Sequence, residues 1–198
     1  IARNKLTIQN FTIFDPVVEA DAIERYTEHY YEKMQRLGVS KSKAVLKMQD
    51  PNYVGLMMLE CGDADGFISG VNSPYKEVFE KAKEVVGLQP CCKYAAGMHI
   101  ATTKRGTYFL ADTTVNSHPS AETLEYVTVL THDAVKRFDI DPVIALTSYS
   151  NFGEYRLGSP AQIQECITQL HNKYPEILVD GEMHASMAFD KELRQREY

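Results

Sequence analysis

Hydrophobic and polar residues are arranged along this chain in two kinds of pattern. Stretches in which apolar residues recur every three or four positions predict amphipathic helices, and short continuous apolar runs predict buried strands. The two kinds of stretch follow one another almost without interruption over the 198 residues. This order favours an α/β domain with a largely parallel sheet, because helices then connect successive strands.

The first half of the chain contains several residues that typically begin or end helices. Gly38 closes an apolar face with helical spacing, and Ser40 is a suitable N-cap for the short helix that follows. Ser73 and Pro74 suit the N-cap and the first position of another helix. The predicted elements are a strand over 11–16, a helix ending at Gly38, a short helix after Ser40, a helix over 53–60, a strand over 66–71 and a helix from Ser73 to Gly87.

The second half of the chain follows the sequence GLQPCC at residues 87–92. This segment is the predicted junction between two lobes, 1–89 and 90–198. Two apolar runs separated by Lys104-Arg105-Gly106 predict a β-hairpin. The remaining predicted elements are a helix capped by Ser120, a buried strand over 142–150, a helix beginning at Ser159 and a final strand over 177–185.

The composition of the chain indicates which broad classes of protein it can belong to. A hydrophobic content of 44% with 24% charged residues is ordinary for a globular domain with a real core. No apolar run approaches the roughly 20 residues that span a bilayer, and the N-terminal residues lack the order of a signal peptide. We therefore expect a cytoplasmic protein without a membrane partner. A net charge of −6 without a long basic run argues against a nucleic-acid partner.

Neither a disulfide framework nor a metal site is expected. The four cysteines show no CxxC spacing, and the adjacent Cys91 and Cys92 would form a strained bridge. The stretch GDADGFISG at residues 62–70 is not an EF-hand loop, because Phe67 and Pro74 stand where oxygen ligands are needed. Its acidic residues, Asp63 and Asp65, are instead expected to satisfy the amides of a turn.

Polar residues gather after the predicted strands, where parallel sheets bind their ligands. The loop SYSNFG at 148–153 offers hydroxyl and amide donors for a phosphate or carbonyl oxygen, although it lacks the lysine of a P-loop. Polar side chains at the other strand ends either orient a ligand or cap turns, and the pattern leaves both interpretations open. The candidate ligand-binding residues of the second lobe are Asp112, Asn116, Ser148, Tyr149, Ser150, Asn151, Gly153, Asp180 and Glu182.

Five strings of residues, taken together, resemble one family. They are GDADGFISG, LADTTVN, PSAETLEYV, IDPVIALTSYSNFG and VDGEMHASMAFD, in that order along the chain. The sequence resembles the phosphotransacetylases, the phosphate acetyl- and butyryltransferase family. SYSNFG and DGEM further resemble the version fused to the C-terminus of large bacterial NADP-dependent malic enzymes.

The resemblance implies a three-layer α/β/α fold of two lobes, like that of isocitrate and isopropylmalate dehydrogenases. It implies a cleft between the lobes and a homodimer or higher homo-oligomer formed mainly through the second lobe. It also implies that the chain is truncated at both ends relative to the family, since it begins inside the first lobe and stops at Tyr198.

The resemblance implies two alternative functions. The family moves an acetyl group between coenzyme A and phosphate, whereas the fused version resembles an acetyl-CoA sensor that inhibits the malate-oxidising domain of the same chain. Ser73 matches a phosphate-contacting serine of the family, but the helix after it lacks the family's arginine, for which Lys81 is the candidate partial substitute. The family's further serine, arginine and aspartate lie beyond Tyr198, so no catalytic residue is predicted here.

The leading hypothesis is therefore a regulatory domain that binds acetyl-CoA or a related acyl-CoA. It carries no cofactor of its own, and its parent enzyme uses NADP and Mg²⁺ or Mn²⁺. A working phosphate acetyltransferase and a purely structural dimerisation module are the alternatives.

Overall fold

The computed structural model describes residues 11–90 and 92–197, which contain both helices and strands. The chain divides into two compact units, unit 1 over residues 1–89 and unit 2 over 90–198. The α/β class expected from the sequence is confirmed. Cys91 of the predicted junction lies outside the described residues. No helix in the described ranges is long and apolar enough to cross a membrane.

The described part of unit 1 is built from helices whose ends follow local rules. Gly38 has a φ of 86° and ends the first helical segment, and the Ser40 hydroxyl accepts a hydrogen bond from the amide of Lys43. Asp50 caps the third helix, and Pro51 is the first residue of that helix. The elements are α1 (Ala20–Met34), a 3₁₀ turn (Gln35–Leu37), α2 (Lys41–Lys47), α3 (Pro51–Glu60) and α4 (Tyr75–Val85).

The core of unit 1 lies where α1, α3 and α4 meet. Tyr26 and Tyr30 project from α1 at a spacing of four residues, so that both face Leu56 and Met57 of α3. Val85 of α4 is fully buried in the same cluster. The apolar face that predicted α1 therefore does pack against the other helices of this unit.

The two strands predicted in the first half are wrong. Residues 11–15 have no regular structure, and 66–71 form a loop. A strand needs a partner for its backbone amides, and within the described residues neither segment pairs with another strand. Ile68 and Val71, which suggested a buried run, have 98% and 99% of their surface exposed.

Unit 2 combines two pairs of strands with two long helices. Its elements are β1 (Met98–Thr103), β2 (Gly106–Ala111), α5 (Ala121–Lys136), β3 (Val143–Thr147), α6 (Ser159–Lys173), β4 (Leu178–Met183), α7 (Ala185–Phe189) and α8 (Lys191–Glu197). The predicted hairpin is confirmed, with Thr103 opposite Gly106 across the turn. β3 and β4 are parallel. In the described residues, the largely parallel sheet expected from the alternation is thus limited to this second pair.

The core of unit 2 lies between α5, α6 and the β3–β4 pair. Cys166 and Leu170 of α6 are fully buried in it, and burial raises the pKa of the Cys166 thiol to about 12. Lys173 on α6 donates to both carboxylate oxygens of Glu125 on α5, at 2.8 and 2.9 Å. β3 is less buried than expected, since 83% of Val143 is exposed. These contacts hold α5 and α6 side by side over the parallel strands.

Candidate functional site

The loop after β3 is held in place by one carboxylate from β4. Glu182 is fully buried, and its Oε1 accepts hydrogen bonds from the Ser150 hydroxyl at 3.1 Å and the Gly153 amide at 2.8 Å. Its Oε2 accepts from the side-chain amide of Gln164 on α6 at 3.1 Å. One side chain therefore joins β4, α6 and the loop 148–153.

The carboxylate of Glu182 is ionised in spite of its burial. Burial alone would raise the pKa of this group, but the hydrogen bonds from Gly153, Gln164 and Ser150 outweigh burial and lower the pKa. A buried charge is tolerated only where donors surround it. The carboxylate of Glu182 is occupied by the protein itself, so the structure places it beneath the loop as its support.

Backbone contacts complete the attachment of the loop to the end of β4. The amide of Phe152 donates to the carbonyl of Glu182 at 2.8 Å, and the amide of Ser148 donates to that of Met183 at 2.9 Å. The Asn151 side chain accepts from the amide of His184 at 2.8 Å. Ser150 and Asn151 are thus engaged in shaping the loop, which gives it a defined conformation.

A glycine is required directly before Glu182. Gly181 has a φ of 145°, and a Cβ built on it would lie 2.4 Å from the carbonyl oxygen of Leu146 on β3. Any side chain at this position would push β3 and β4 apart. The DGE sequence therefore combines a close approach of two strands with a carboxylate that reaches the loop.

The loop presents aromatic rings to solvent. Tyr149 and Tyr155 have 57% and 59% of their surface exposed, and their ring centroids are 5.8 Å apart in an edge-on arrangement. The Ser148 hydroxyl is buried and has no hydrogen-bond partner among the described residues. Asp180 is exposed, and its carboxylate accepts from the amide of Gly181 at 2.8 Å. Of the predicted residues here, Tyr149 and Asp180 are exposed to solvent.

Asp112 and Asn116 form a turn of their own after β2. Asp112 has a φ of 52°, and its carboxylate accepts from both the backbone amide and the side-chain amide of Asn116, at 3.3 and 2.8 Å. The Asn116 side chain also donates to the carbonyl of Ala95 at 3.0 Å. Of the two interpretations open from the sequence, the turn is the one for which the structure shows partners.

Ser73 of unit 1 is not the helix cap that its position suggested. Pro74 is the N-cap residue of α4, and the Ser73 hydroxyl accepts instead from the side-chain amide of Asn52 at 3.1 Å. The same Asn52 amide accepts from the Ser69 hydroxyl at 2.6 Å. Sequence reasoning missed Asn52, although its place in the Asp-Pro-Asn helix start was a signal that its position is restrained.

Lys81, the predicted substitute for an arginine, is engaged with a neighbour. Its ammonium lies 2.5 Å from the Asp50 carboxylate, and only 19% of the Lys81 side chain is exposed. Burial would raise the pKa of Asp50, but the hydrogen bonds from Lys81 and Asn52 lower it, so that the pair is ionic. Lys81 is a structural ion-pair partner in this conformation.

The acidic stretch at 62–70 attaches a loop to the helices of unit 1. Asp63 accepts hydrogen bonds from the Tyr26 hydroxyl and the Arg25 guanidinium, which lower the pKa of Asp63. The turn-amide role expected for Asp63 is therefore wrong. Phe67 packs on α3, where a Cβ on Gly55 would lie 2.5 Å from its ring. Asp63 near the start of this loop and Phe67 in its middle thus attach it to α1 and α3.

The described residues contain no group of three or more histidine, cysteine, aspartate or glutamate side chains that could hold a metal ion. Within each unit, polar side chains of the candidate site bond to groups of the same unit, and the exposed ring of Tyr149 lies in a loop. Such loops suit an organic ligand with oxygen acceptors.

Comparisons with known proteins agree with this architecture. The NADP-dependent malic enzyme of Escherichia coli is 33% identical over 172 residues, which are 86% of this chain and 23% of that protein. The phosphate acetyltransferase of Thermoanaerobacterium thermosaccharolyticum is 26% identical over 201 residues, which are 98% of this chain and 61% of that protein. The phosphotransacetylase structure from Streptococcus pyogenes superimposes with a TM-score of 0.82 at 26% identity, over 98% of this chain and 59% of that one.

The chain thus spans less than a quarter of the malic enzyme and about three fifths of the transferases. A family model described as phosphate acetyl/butaryl transferase matches residues 1–198. The resemblance inferred from the five strings is confirmed, and the chain belongs to the phosphate acetyl/butaryl transferase family.

Proposed function

We propose that this chain is a regulatory domain of an NADP-dependent malic enzyme and binds acetyl-CoA as its effector. The observation that carries the proposal is the 33% identity to a malic enzyme over 86% of the chain, compared with 26% to the phosphate acetyltransferase. The ion pair between Lys81 and Asp50 supports the proposal. A lysine that is already paired with a carboxylate cannot replace an arginine, whose guanidinium would form two parallel hydrogen bonds with an acyl phosphate.

The proposed ligand contacts are the exposed parts of the predicted site. Tyr149 offers a ring for stacking, and its own hydroxyl and the hydroxyl of Ser148 are the proposed donors to an oxygen of the acyl-CoA. Ser73 of unit 1 is proposed to contact an oxygen of the ligand. In the proposal the domain acts as a homodimer or higher oligomer, and NADP and Mg²⁺ or Mn²⁺ are bound by the malic-enzyme domains of the parent chain.

The test is malate-dependent NADPH production by the parent enzyme, titrated with acetyl-CoA. We expect the rate to fall, because an effector must bind two states of the enzyme with different affinity. Tyr149→Ala is expected to raise the half-inhibiting concentration about tenfold, which is the worth of a good aromatic contact. Tyr75→Ala, which removes a similarly exposed tyrosine from α4, serves as the control and leaves inhibition unchanged. A rate indifferent to acetyl-CoA contradicts the proposal.

A phosphate acetyltransferase is the second candidate function. Matches over nearly the whole chain to a family model and to a named phosphate acetyltransferase favour it. Its test is formation of acetyl-CoA from acetyl phosphate and coenzyme A by the intact protein. Turnover that is lost in Lys81→Ala would establish the transferase, whereas the regulatory proposal predicts acetyl-CoA binding without turnover.

A further inference from the structure

Four polar side chains in unit 1 form a continuous chain of hydrogen bonds that ends at Ser73. The Lys81 ammonium on α4 donates a hydrogen bond to the Asp50 carboxylate at 2.5 Å. The same carboxylate accepts a hydrogen bond from the backbone amide of Asn52 at 2.8 Å. The Asn52 side chain then donates to the Ser73 hydroxyl at 3.1 Å. The start of α3 is thereby attached to the residue that precedes α4.

The donors and acceptors along this chain give the two serines different roles. Ser69 gives its hydroxyl proton to Asn52 Oδ1 at 2.6 Å, so that proton is already used. Ser73 accepts from Asn52 Nδ2 and therefore keeps its own proton to donate elsewhere. Asn52 thus leaves Ser73 as the serine whose proton is available to donate, and by occupying one lone pair of the hydroxyl it limits the directions that this proton can take.

We propose that Asn52 is a positioning residue that holds the Ser73 hydroxyl ready to donate to an oxygen of the bound acyl-CoA. This inference rests on the proposed function, in which Ser73 contacts the ligand. Without Asn52 the Ser73 hydroxyl would rotate among several directions, and binding would have to select one of them. Loss of the Asn52 side chain should therefore lower the affinity for the ligand only through its effect on Ser73.

Lys81 and Asp50 keep Asn52 in place. One oxygen of the Asp50 carboxylate accepts a hydrogen bond from the backbone amide of Asn52, and the other accepts one from the Lys81 ammonium. The ammonium also lies 5.7 Å from the centre of the Tyr53 ring. The backbone of Asn52 is consequently restrained at the first turn of α3. The lysine in the helix after Ser73 acts on the ligand indirectly, through this attachment.

Calorimetric titration of the intact protein with acetyl-CoA tests the coupling between the two residues. Ser73→Ala is expected to weaken binding about tenfold, because it removes the proposed hydrogen bond to the ligand, and Asn52→Ala about three- to tenfold, because that hydrogen bond is then no longer oriented. In the double variant the loss should equal that of Ser73→Ala alone. Losses that multiply would overturn the inference, because Asn52 would then act independently of Ser73.

The isosteric Asn52→Asp separates the two hydrogen bonds of the amide. Aspartate still accepts from Ser69 but cannot donate to Ser73, and it takes the Ser73 proton for itself. We expect this variant to lose at least as much affinity as Ser73→Ala. Asn72→Asp places the same charge on an exposed neighbour in the loop and controls for electrostatic repulsion. Equal weakening by the two aspartates would overturn the inference.

Inorganic phosphate as a second probe shows which oxygen Ser73 contacts. A loss of phosphate affinity parallel to that of acetyl-CoA indicates a phosphate oxygen, and a loss for acetyl-CoA alone indicates the thioester carbonyl. Both results support a role for Asn52 in ligand binding. An Asn52→Ala protein that binds both probes with unchanged affinity contradicts it.

Hydrogen exchange without ligand separates this inference from the proposed function. Asn52→Ala should accelerate amide exchange over 66–74 and leave α1 protected, because the side chain holds the loop and not the helix core. Unchanged exchange in the loop, in a protein that still binds acetyl-CoA, would refute the positioning role alone. A wild-type protein that binds no acetyl-CoA refutes the proposed function, and with it the ligand role of Ser73.

Discussion

At the scale of single residues, the structure shows which polar side chains are already satisfied by the protein. Glu182 was a candidate ligand contact because it follows a predicted strand. It is instead surrounded by Ser150, Gly153 and Gln164, which donate to its carboxylate at 2.8 to 3.1 Å. The carboxylate of Asp112 likewise accepts hydrogen bonds from the backbone and side-chain amides of Asn116. Tyr149, which is exposed, and Ser73, whose hydroxyl accepts from Asn52 and keeps its own proton, are left as the better candidates.

Removal of the Glu182 carboxylate should destabilise unit 2. Glu182→Ala leaves three donors, of which that of Ser150 is buried, without their acceptor and creates a cavity, so we expect the free energy of unfolding to fall by about 3 kcal/mol. Glu182→Gln keeps the volume but turns an amide group toward those donors, and it should cost about 2 kcal/mol. Urea unfolding measures both. Glu176→Gln, an exposed glutamate, is the control and should change stability by less than about 0.5 kcal/mol.

At the scale of elements, one carboxylate joins the four α-helices in the described part of unit 1. Glu84 of α4 accepts hydrogen bonds from Tyr30 of α1 and Tyr53 of α3, and it pairs with Lys47 of α2. Burial would raise the pKa of Glu84, but these partners lower it. Burial and the contact with Glu84 raise the pKa of both tyrosines well above the usual value.

This arrangement predicts loss of stability in both acid and alkali. Because the folded pKa of Glu84 is lowered, its contribution is full above the ordinary value of 4.5 and is lost as the pH falls through the folded pKa. The pKa values of Tyr30 and Tyr53 are raised, so their contribution is full below 10 and is lost at higher pH. Urea unfolding across this range measures the profile.

Glu84→Gln tests the assignment of the acid limb to this residue. The variant should be about 2 kcal/mol less stable at pH 7, since hydrogen bonds to a charged group are worth about that much. It should also lose less stability than the wild type between pH 5 and pH 3. Glu80→Gln on the exposed face of α4 is the control. A variant as acid-sensitive as the wild type would assign the acid limb to other carboxylates.

The elements that sequence reasoning found are those with local signals. Ser40 and Ser120 both cap the helices predicted for them, because capping depends only on residues three positions away. The strand predicted over 66–71 failed because a strand depends on a partner that the local pattern does not reveal. Helices α7 and α8 went unpredicted, being too short for a periodic apolar pattern to show.

At the scale of the whole molecule, each unit has a hydrophobic core made from its own residues. Met57 is fully buried in the core of unit 1, together with side chains of α1 and α4. Leu170 is fully buried in the core of unit 2, against β4 and α5. Separate cores are the condition for separate cooperative units of unfolding.

Core variants should therefore loosen one unit at a time. Met57→Ala is expected to cost about 3 kcal/mol through the cavity it leaves, and to accelerate amide exchange in α1 and α3. Exchange in α5 and α6 should stay at the wild-type rate. Leu170→Ala is the reciprocal control and should show the opposite distribution. Acceleration spread evenly over all four helices would mean that the units unfold together.

The sequence by itself determined the helices α1 to α6, the hairpin, the α/β class and the family, because capping, periodicity and ordered strings of residues are local properties. Tertiary structure alone decided the roles of the polar residues. Asp63 reaches two side chains of α1, Lys81 is held by Asp50, and Glu182 lies beneath a loop rather than facing a ligand. A donor and its acceptor can lie many residues apart in sequence, so only the folded chain shows which groups are paired and which stay available.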